Sequence, residues 1–178
     1  MRIESLKIKD VKKIVLSPFF DVRGSFTKIY NDDFYREANI EFELKEQYIS
    51  VSNKGVIRGM HFQLPPFDCD KLVMVLNGSV VDVVLDLRKS SPTYLQWVDV
   101  VLNGKQPEVL WIPKGCAHGF LSLEDKSSMI YNVSALYKPE HDTGIKWNSF
   151  GYEWKEKNPI ISERDQGLPA LDQFQTPF

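Results

Sequence analysis

Twice in this chain an Asn-Gly pair separates two runs of β-branched and apolar residues, and few folds accommodate that pattern. Residues 72–76 form an apolar run, followed by Asn77-Gly78 and a Val-rich stretch over residues 79–87. The device recurs as residues 97–102, Asn103-Gly104 and residues 109–112. Asn-Gly between such runs is the strongest short-range hairpin signal, because both turn residues must accept positive φ. A further run over residues 129–136 extends the series. Short strands separated by turns predict an antiparallel sandwich or barrel. Only residues 32–38 read as helix, with Asn31 or Asp32 as the cap. The polar tail from Gly151, with three of the ten prolines, is expected to wrap the surface of one all-β domain spanning residues 1–178.

Composition removes several function classes. With 178 residues, 43% hydrophobic, and 22 Lys+Arg against 24 Asp+Glu, the chain has a net charge of −2. It is too apolar and too balanced for a disordered segment. It also lacks the basic excess that would neutralise a duplex backbone, so no nucleic-acid partner is expected. A chain of this length buries roughly 70% of its unfolded surface and needs no staple. Its two cysteines, Cys69 and Cys116, do not make a disulfide scaffold. No apolar run is long enough to cross a bilayer, and the charged first residues do not read as a signal peptide. A cytoplasmic protein without a membrane partner is the expectation.

Chemistry concentrates around one histidine. In residues 54–63, Arg58 and His61 lie close together and are flanked by Gly55 and Gly59, which allow close approach to the backbone. Strand alternation puts His61 and Gln63 on one face, and Lys71 opens the next strand. Cations beside a titratable imidazole point to an anionic substrate with a proton to remove. His118 falls in Pro113-Lys114-Gly115-Cys116-Ala117-His118, a spacing similar to the second motif of the cupin superfamily. Metal-binding cupins carry a His-x-His pair in their first motif, where this chain reads His61-Phe62-Gln63. With His141 distant, the ligand set is thin, and no metal is expected. Cys116 reads as packing, and the acids flanking Cys69 are expected to raise its pKa.

Taken in order, residues 58–66, 71–73, 82–88, 91–93, 110–120 and 162–165 resemble the dTDP-4-dehydrorhamnose 3,5-epimerase family, with the family's spacing almost throughout. That resemblance implies a cupin-type double-stranded β-helix, a jelly-roll barrel with a few short helices. It also implies a cofactor-independent epimerase that inverts C3, C5 or both of a nucleoside-diphosphate 4-keto-6-deoxyhexose. A ketone at C4 acidifies both neighbouring C–H groups, so such an enzyme needs a base on one face, an acid on the other and positive charge near the oxygen. By resemblance, His61 is the base, Asp165 its orienting carboxylate, Tyr131 the opposing acid and Lys71 the enolate stabiliser. His118 contacts the substrate near the ketone. Arg23 and Arg58 grip the diphosphate, Tyr137 or Phe26 stacks on the base, and Arg164 lies at the sugar end. The resemblance further implies a homodimer in which an N-terminal strand crosses to the partner.

Three positions depart from the family pattern. Lys28 stands where a base-contacting glutamate is usual. The family's Gln-Asp-Asn stretch reads Glu46-Gln47-Tyr48, so Gln47 fits only with a one-residue slip. A loop glutamate is replaced by the shorter Asp142. A carboxylate suits the N–H of thymine, whereas a donor-only ammonium suits the acceptors of cytosine. The expected nucleotide is therefore dTDP, with CDP the alternative. A 3,4-ketoisomerase of the same barrel type and a non-catalytic sugar-nucleotide-binding cupin are the competing readings. Acid and base on opposing faces favour the epimerase over the binder.

Overall fold

The central strands carry apolar side chains on both faces, so they must be covered on both sides. The computed structural model describes residues 1–178. Its strands, numbered in chain order, form two antiparallel sheets. The six-stranded sheet runs β1 (Arg2–Ser5), β2 (Lys12–Val15), β10 (Glu108–Ile112), β7 (Lys71–Asn77), β12 (Ser127–Val133) and β5 (Glu46–Ser52). The five-stranded sheet runs β13 (Asp142–Gly144), β6 (Ile57–Gln63), β11 (Cys116–Ser122), β8 (Ser79–Asp86) and β9 (Trp97–Asn103). A separate hairpin pairs β3 (Phe19–Asp21) with β4 (Gly24–Phe26).

Alternation sorts the core into three layers. Val73 and Val75 of β7 meet Val80 and Val84 of β8 between the sheets, with Leu110, Phe120 and Met129. Leu72 and Met74 point the other way, under Tyr35, Ile40 and Trp111. Val81, Val83 and Leu85 face outward from the five-stranded sheet, where Trp154, Ile161, Phe174 and Phe178 of the C-terminal tail cover them. The tail is anchored by the paired hydrogen bonds Ile57 N–H to Ile160 O and Ile160 N–H to Gly55 O.

The Asn-Gly pairs do not make hairpins. β7 pairs with β10 and β12, while β8 pairs with β11 and β9. Asn77-Gly78 is thus a corner at which the chain leaves one sheet for the other, and Asn103-Gly104 likewise leads from β9 to β10. Of these four residues only Gly78 has positive φ, at 76°, so the primed turn is absent. A strand with two apolar faces is better buried by entering the opposing sheet than by folding back on its own. Within this stretch the local hairpin is β8–β9, closed by the loop after Asp86.

Residues 129–136 also read too far, since β12 ends at Val133. Helix α1 (Asp32–Glu37) begins where expected, with the Asn31 side chain accepting from the Phe34 N–H. The short α2 (Glu163–Gln166), capped by Ser162, and a 3-10 turn over Leu171–Gln173 escape a periodicity argument because neither completes two turns. Strands β1 and β2 are charged enough to hide their alternation, for they lie at the rim of the larger sheet.

Candidate active site

A bulge in β6 builds the base's surroundings. His61 lies opposite His118 on β11, yet Arg58 lies opposite Phe120, so β6 takes three steps where β11 takes two. The extra residue falls at Gly59, whose φ is +143° and where a Cβ would meet the Gly119 Cα at 2.5 Å. Only glycine satisfies that geometry. The bulge puts Arg58 and His61, three residues apart, onto one cavity, where strict alternation would separate them. It also frees the Gly59 N–H, which donates to Asp165 Oδ2 at 3.1 Å.

Asp165 arrives from α2, which the tail presses onto β6. Its Oδ1 lies 2.7 Å from His61 Nε2, and the carboxylate is buried. Burial alone would raise its pKa. The hydrogen bonds from His61 and Gly59 and the charge of Arg164 outweigh that, holding the group below the ordinary carboxylate range. Because a carboxylate only accepts, the Nε2–H donates to it, leaving the other ring nitrogen for chemistry.

His118 has a different setting. Its Nε2 donates to Asp82 Oδ1 and Oδ2 at 2.9 and 2.8 Å, and both residues are buried. Burial lowers its pKa, and the nearby Lys71 and His61 add to this, against the pull of Asp82. Asp82 was not among the residues anticipated to matter. Its signal was a carboxylate in the middle of the Val-rich run, in phase with the inward Val80 and Val84.

Tyr131 comes from β12 in the opposing sheet. It is buried, and burial pushes its phenol well above the usual tyrosine value. Lys71 Nζ, also buried, donates to His61 O at 3.0 Å. Arg58, His61, Lys71, His118 and Tyr131 line one inner cavity of about 200 Å³. An outer cleft of about 440 Å³ adjoins it and adds Tyr137, Asp142 and Arg164. Arg164 Nη2 donates to Asp142 Oδ2 at 2.6 Å, while its Nη1 lies 3.4 Å from His61 Nε2. Tyr137 leans on the same carboxylate, its hydroxyl 3.4 Å from Asp142 Oδ2.

Three anticipated residues lie elsewhere in this chain. Arg23 and Phe26 sit on the exposed β3–β4 hairpin, where Arg23 pairs only with Asp21. Gln47 does not line the cleft, for a local reason. Alternation turns it to the outer face, where it donates to Asn132, while Glu46 and Tyr48 face the cleft. A strict period-two reading of β5 would have chosen those two instead. Lys28 is exposed and lines neither cavity. His141 packs on Phe67, with ring centroids 4.7 Å apart. The pKa of Cys69 is raised, chiefly by burial and only secondarily by Asp70 and Asp68, and burial pushes Cys116 up to about 12.

The family model that matches, over residues 5–173, is described as dTDP-4-dehydrorhamnose 3,5-epimerase. A Sinorhizobium fredii protein of that description is 37% identical over 182 residues, covering 100% of this chain and 93% of its own length. A Bacillus anthracis dTDP-4-dehydrorhamnose 3,5-epimerase structure with TDP and PPi bound superposes with a TM-score of 0.93. It is 35% identical and covers 96% of this chain and 99% of that one. A Legionella pneumophila dTDP-6-deoxy-D-glucose-3,5-epimerase in complex with dTDP-4-keto-L-rhamnose also gives 0.93. There the identity is 33% and the coverage 98% and 94%.

Proposed function

We infer the chemistry from one premise: the chain belongs to the dTDP-4-dehydrorhamnose 3,5-epimerase family and is an epimerase of deoxysugar biosynthesis with the cupin fold. The substrate we propose is a nucleoside-diphosphate 4-keto-6-deoxyhexose, the class to which the sugar bound in the Legionella neighbour belongs. His61 takes the proton from the carbon beside the ketone, and the C–H electron pair moves into an enolate. The Lys71 ammonium steadies the enolate oxygen. Tyr131, from the opposite sheet, donates its hydroxyl proton to the other face of the same carbon. The carbonyl re-forms, the O–H pair stays on the phenolate, and solvent returns a proton to Tyr131 and removes one from His61. Asp165 holds the imidazole in the productive tautomer and stabilises its cation. Burial keeps Tyr131 protonated at neutral pH, so the donor is loaded when the enolate forms.

His118, neutral and fixed by Asp82, contacts the sugar near its ketone. Arg58 binds the diphosphate, Arg164 meets the sugar end and Tyr137 stacks on the base. Arg23 and Phe26 are exposed on their own chain, and we assign them to the neighbouring site of a homodimer. Side chains alone complete this chemistry, so no cofactor or metal is invoked. We assign dTDP as the nucleotide; CDP is the alternative that Lys28 suggests if, like Arg23 and Phe26 nearby in sequence, it serves the neighbouring site.

The observation that carries this reading is an imidazole backed by a buried carboxylate, facing a buried phenol from the other sheet across one cavity. Incubation in D₂O with dTDP- and CDP-linked 4-keto-6-deoxyglucose, followed by mass spectrometry, tests it. One or two deuterons in an inverted product that keeps its C4 ketone is the expected result. A carbonyl moved to C3 would make the protein a ketoisomerase, and tight binding without exchange would make it a binder.

A further inference from the structure

Tyr131 is to act as an acid, so its hydroxyl must be aimed at the enolate. Its polar neighbour is the buried Ser50, whose Oγ pulls the phenol's pKa down against burial but makes no hydrogen bond of full geometry, so it aims the phenol only weakly. What holds the Tyr131 ring is packing. Tyr48 lies directly opposite it in the β5–β12 register, and the rings stack with centroids 4.8 Å apart at 15°. His118 closes the other side at 6.0 Å and 60°. With His61 and Lys71, Tyr48 borders both the inner cavity and the outer cleft, so it stands where substrate enters.

We propose that Tyr48 is a positioning residue for the acid: its ring, stacked across the strand pair, fixes the Tyr131 phenol for donation to the face opposite His61. This rests on the epimerase reading above. Cross-strand aromatic pairs act through ring contact, so the stack rather than the Tyr48 hydroxyl carries the effect. Without the stack, His61 still removes the proton and can return a solvent-derived one to the same face. Delivery from the Tyr131 side is what suffers.

The experiment compares wild type, Tyr48→Ala and Tyr48→Phe on dTDP-4-keto-6-deoxyglucose in D₂O, reading deuterium in recovered substrate separately from inverted product. Tyr48 is half exposed on an edge strand, and thermal melts check that each variant folds. For Tyr48→Ala, inversion should fall roughly 10²-fold, the usual consequence of misplacing a reacting group, while exchange into recovered substrate persists. Tyr48→Phe should restore inversion. Parallel loss of exchange and inversion, full activity in Tyr48→Ala, or a Phe variant as impaired as Ala would each overturn the proposal. A wild-type protein that exchanges nothing would remove the epimerase reading itself, whereas a defect-free Tyr48→Ala alongside an active wild type would remove only the role of Tyr48.

Discussion

His61 and His118 are cross-strand neighbours, each hydrogen-bonded to a carboxylate, and their environments divide the labour. The His61 side chain is 27% exposed and opens on both cavities, whereas His118 is 3% exposed and its pKa is lowered. An accessible imidazole can exchange protons with solvent, and a sealed neutral one is suited to holding a fixed contact. Asp165→Asn should keep the fold near His61 but reduce kcat by about 10²–10⁴-fold, the range for losing a positioned acid–base partner, as measured by steady-state kinetics. Linkage sets the sign of the pH effect. The folded pKa of Asp165 is lowered, so its stabilisation is present above the ordinary carboxylate range and disappears as pH falls through the folded value. Denaturant titrations at descending pH should show that acid-side loss in wild type and less of it in Asp165→Asn. Asp82→Ala leaves the buried His118 N–H without its acceptor and should lower unfolding free energy by about 1–3 kcal/mol, read from urea midpoints.

At the level of elements, the bulge in β6 deserves most weight because one backbone distortion serves two ends. It aims Arg58 and His61 into one cavity and supplies the N–H that binds Asp165. Gly59→Ala introduces a side chain at φ +143° and within 2.5 Å of Gly119. Strain of that kind costs about 1–3 kcal/mol. Calorimetry should show a lower Tm, and the residual folded protein should have lost exchange activity. The glycines around Arg58 and His61 were legible as a place where backbones come close. That the distortion was a bulge was not, because a bulge exists only relative to a partner strand, and Gly119 lies on β11. The Asn-Gly corners teach the same lesson from the other side. Local turn chemistry marked where the strands end, and the demand to cover two apolar faces determined which sheet each strand joined.

Across the molecule, the outlying Arg23 gives the homodimer a sharp test. Mixing subunits bearing His61→Asn with subunits bearing Arg23→Ala creates one site with both native residues. Activity should reappear in the mixture although each parent is nearly inactive, and assays of refolded mixtures would show it. No recovery from two inactive parents would mean that Arg23 does not serve the partner's site. Stability should also fail on the alkaline side. Burial raises the pKa of Tyr35 and Tyr131, so the fold holds them protonated while the unfolded chain releases protons above pH about 10. Circular dichroism from neutral to strongly alkaline pH should show stability falling beyond that point. Phenylalanine at position 35 would soften the decline.

Read alone, the chain was sufficient for the all-β class and for His61 as a candidate group beside a cation, because strand alternation is a local property. The jelly-roll barrel and the parts expected of Lys71, His118 and Tyr131 came only through resemblance to a family. Three-dimensional packing decided the rest. It assigned β7 and β8 to different sheets, turned Gln47 outward in favour of Glu46 and Tyr48, brought Asp165 more than a hundred positions along the chain to 2.7 Å from His61, and left Arg23 remote from its own cleft. Each of those outcomes depends on which distant strand or tail segment covers a given face, and that is settled by burial of the whole apolar surface, which no short window of residues contains.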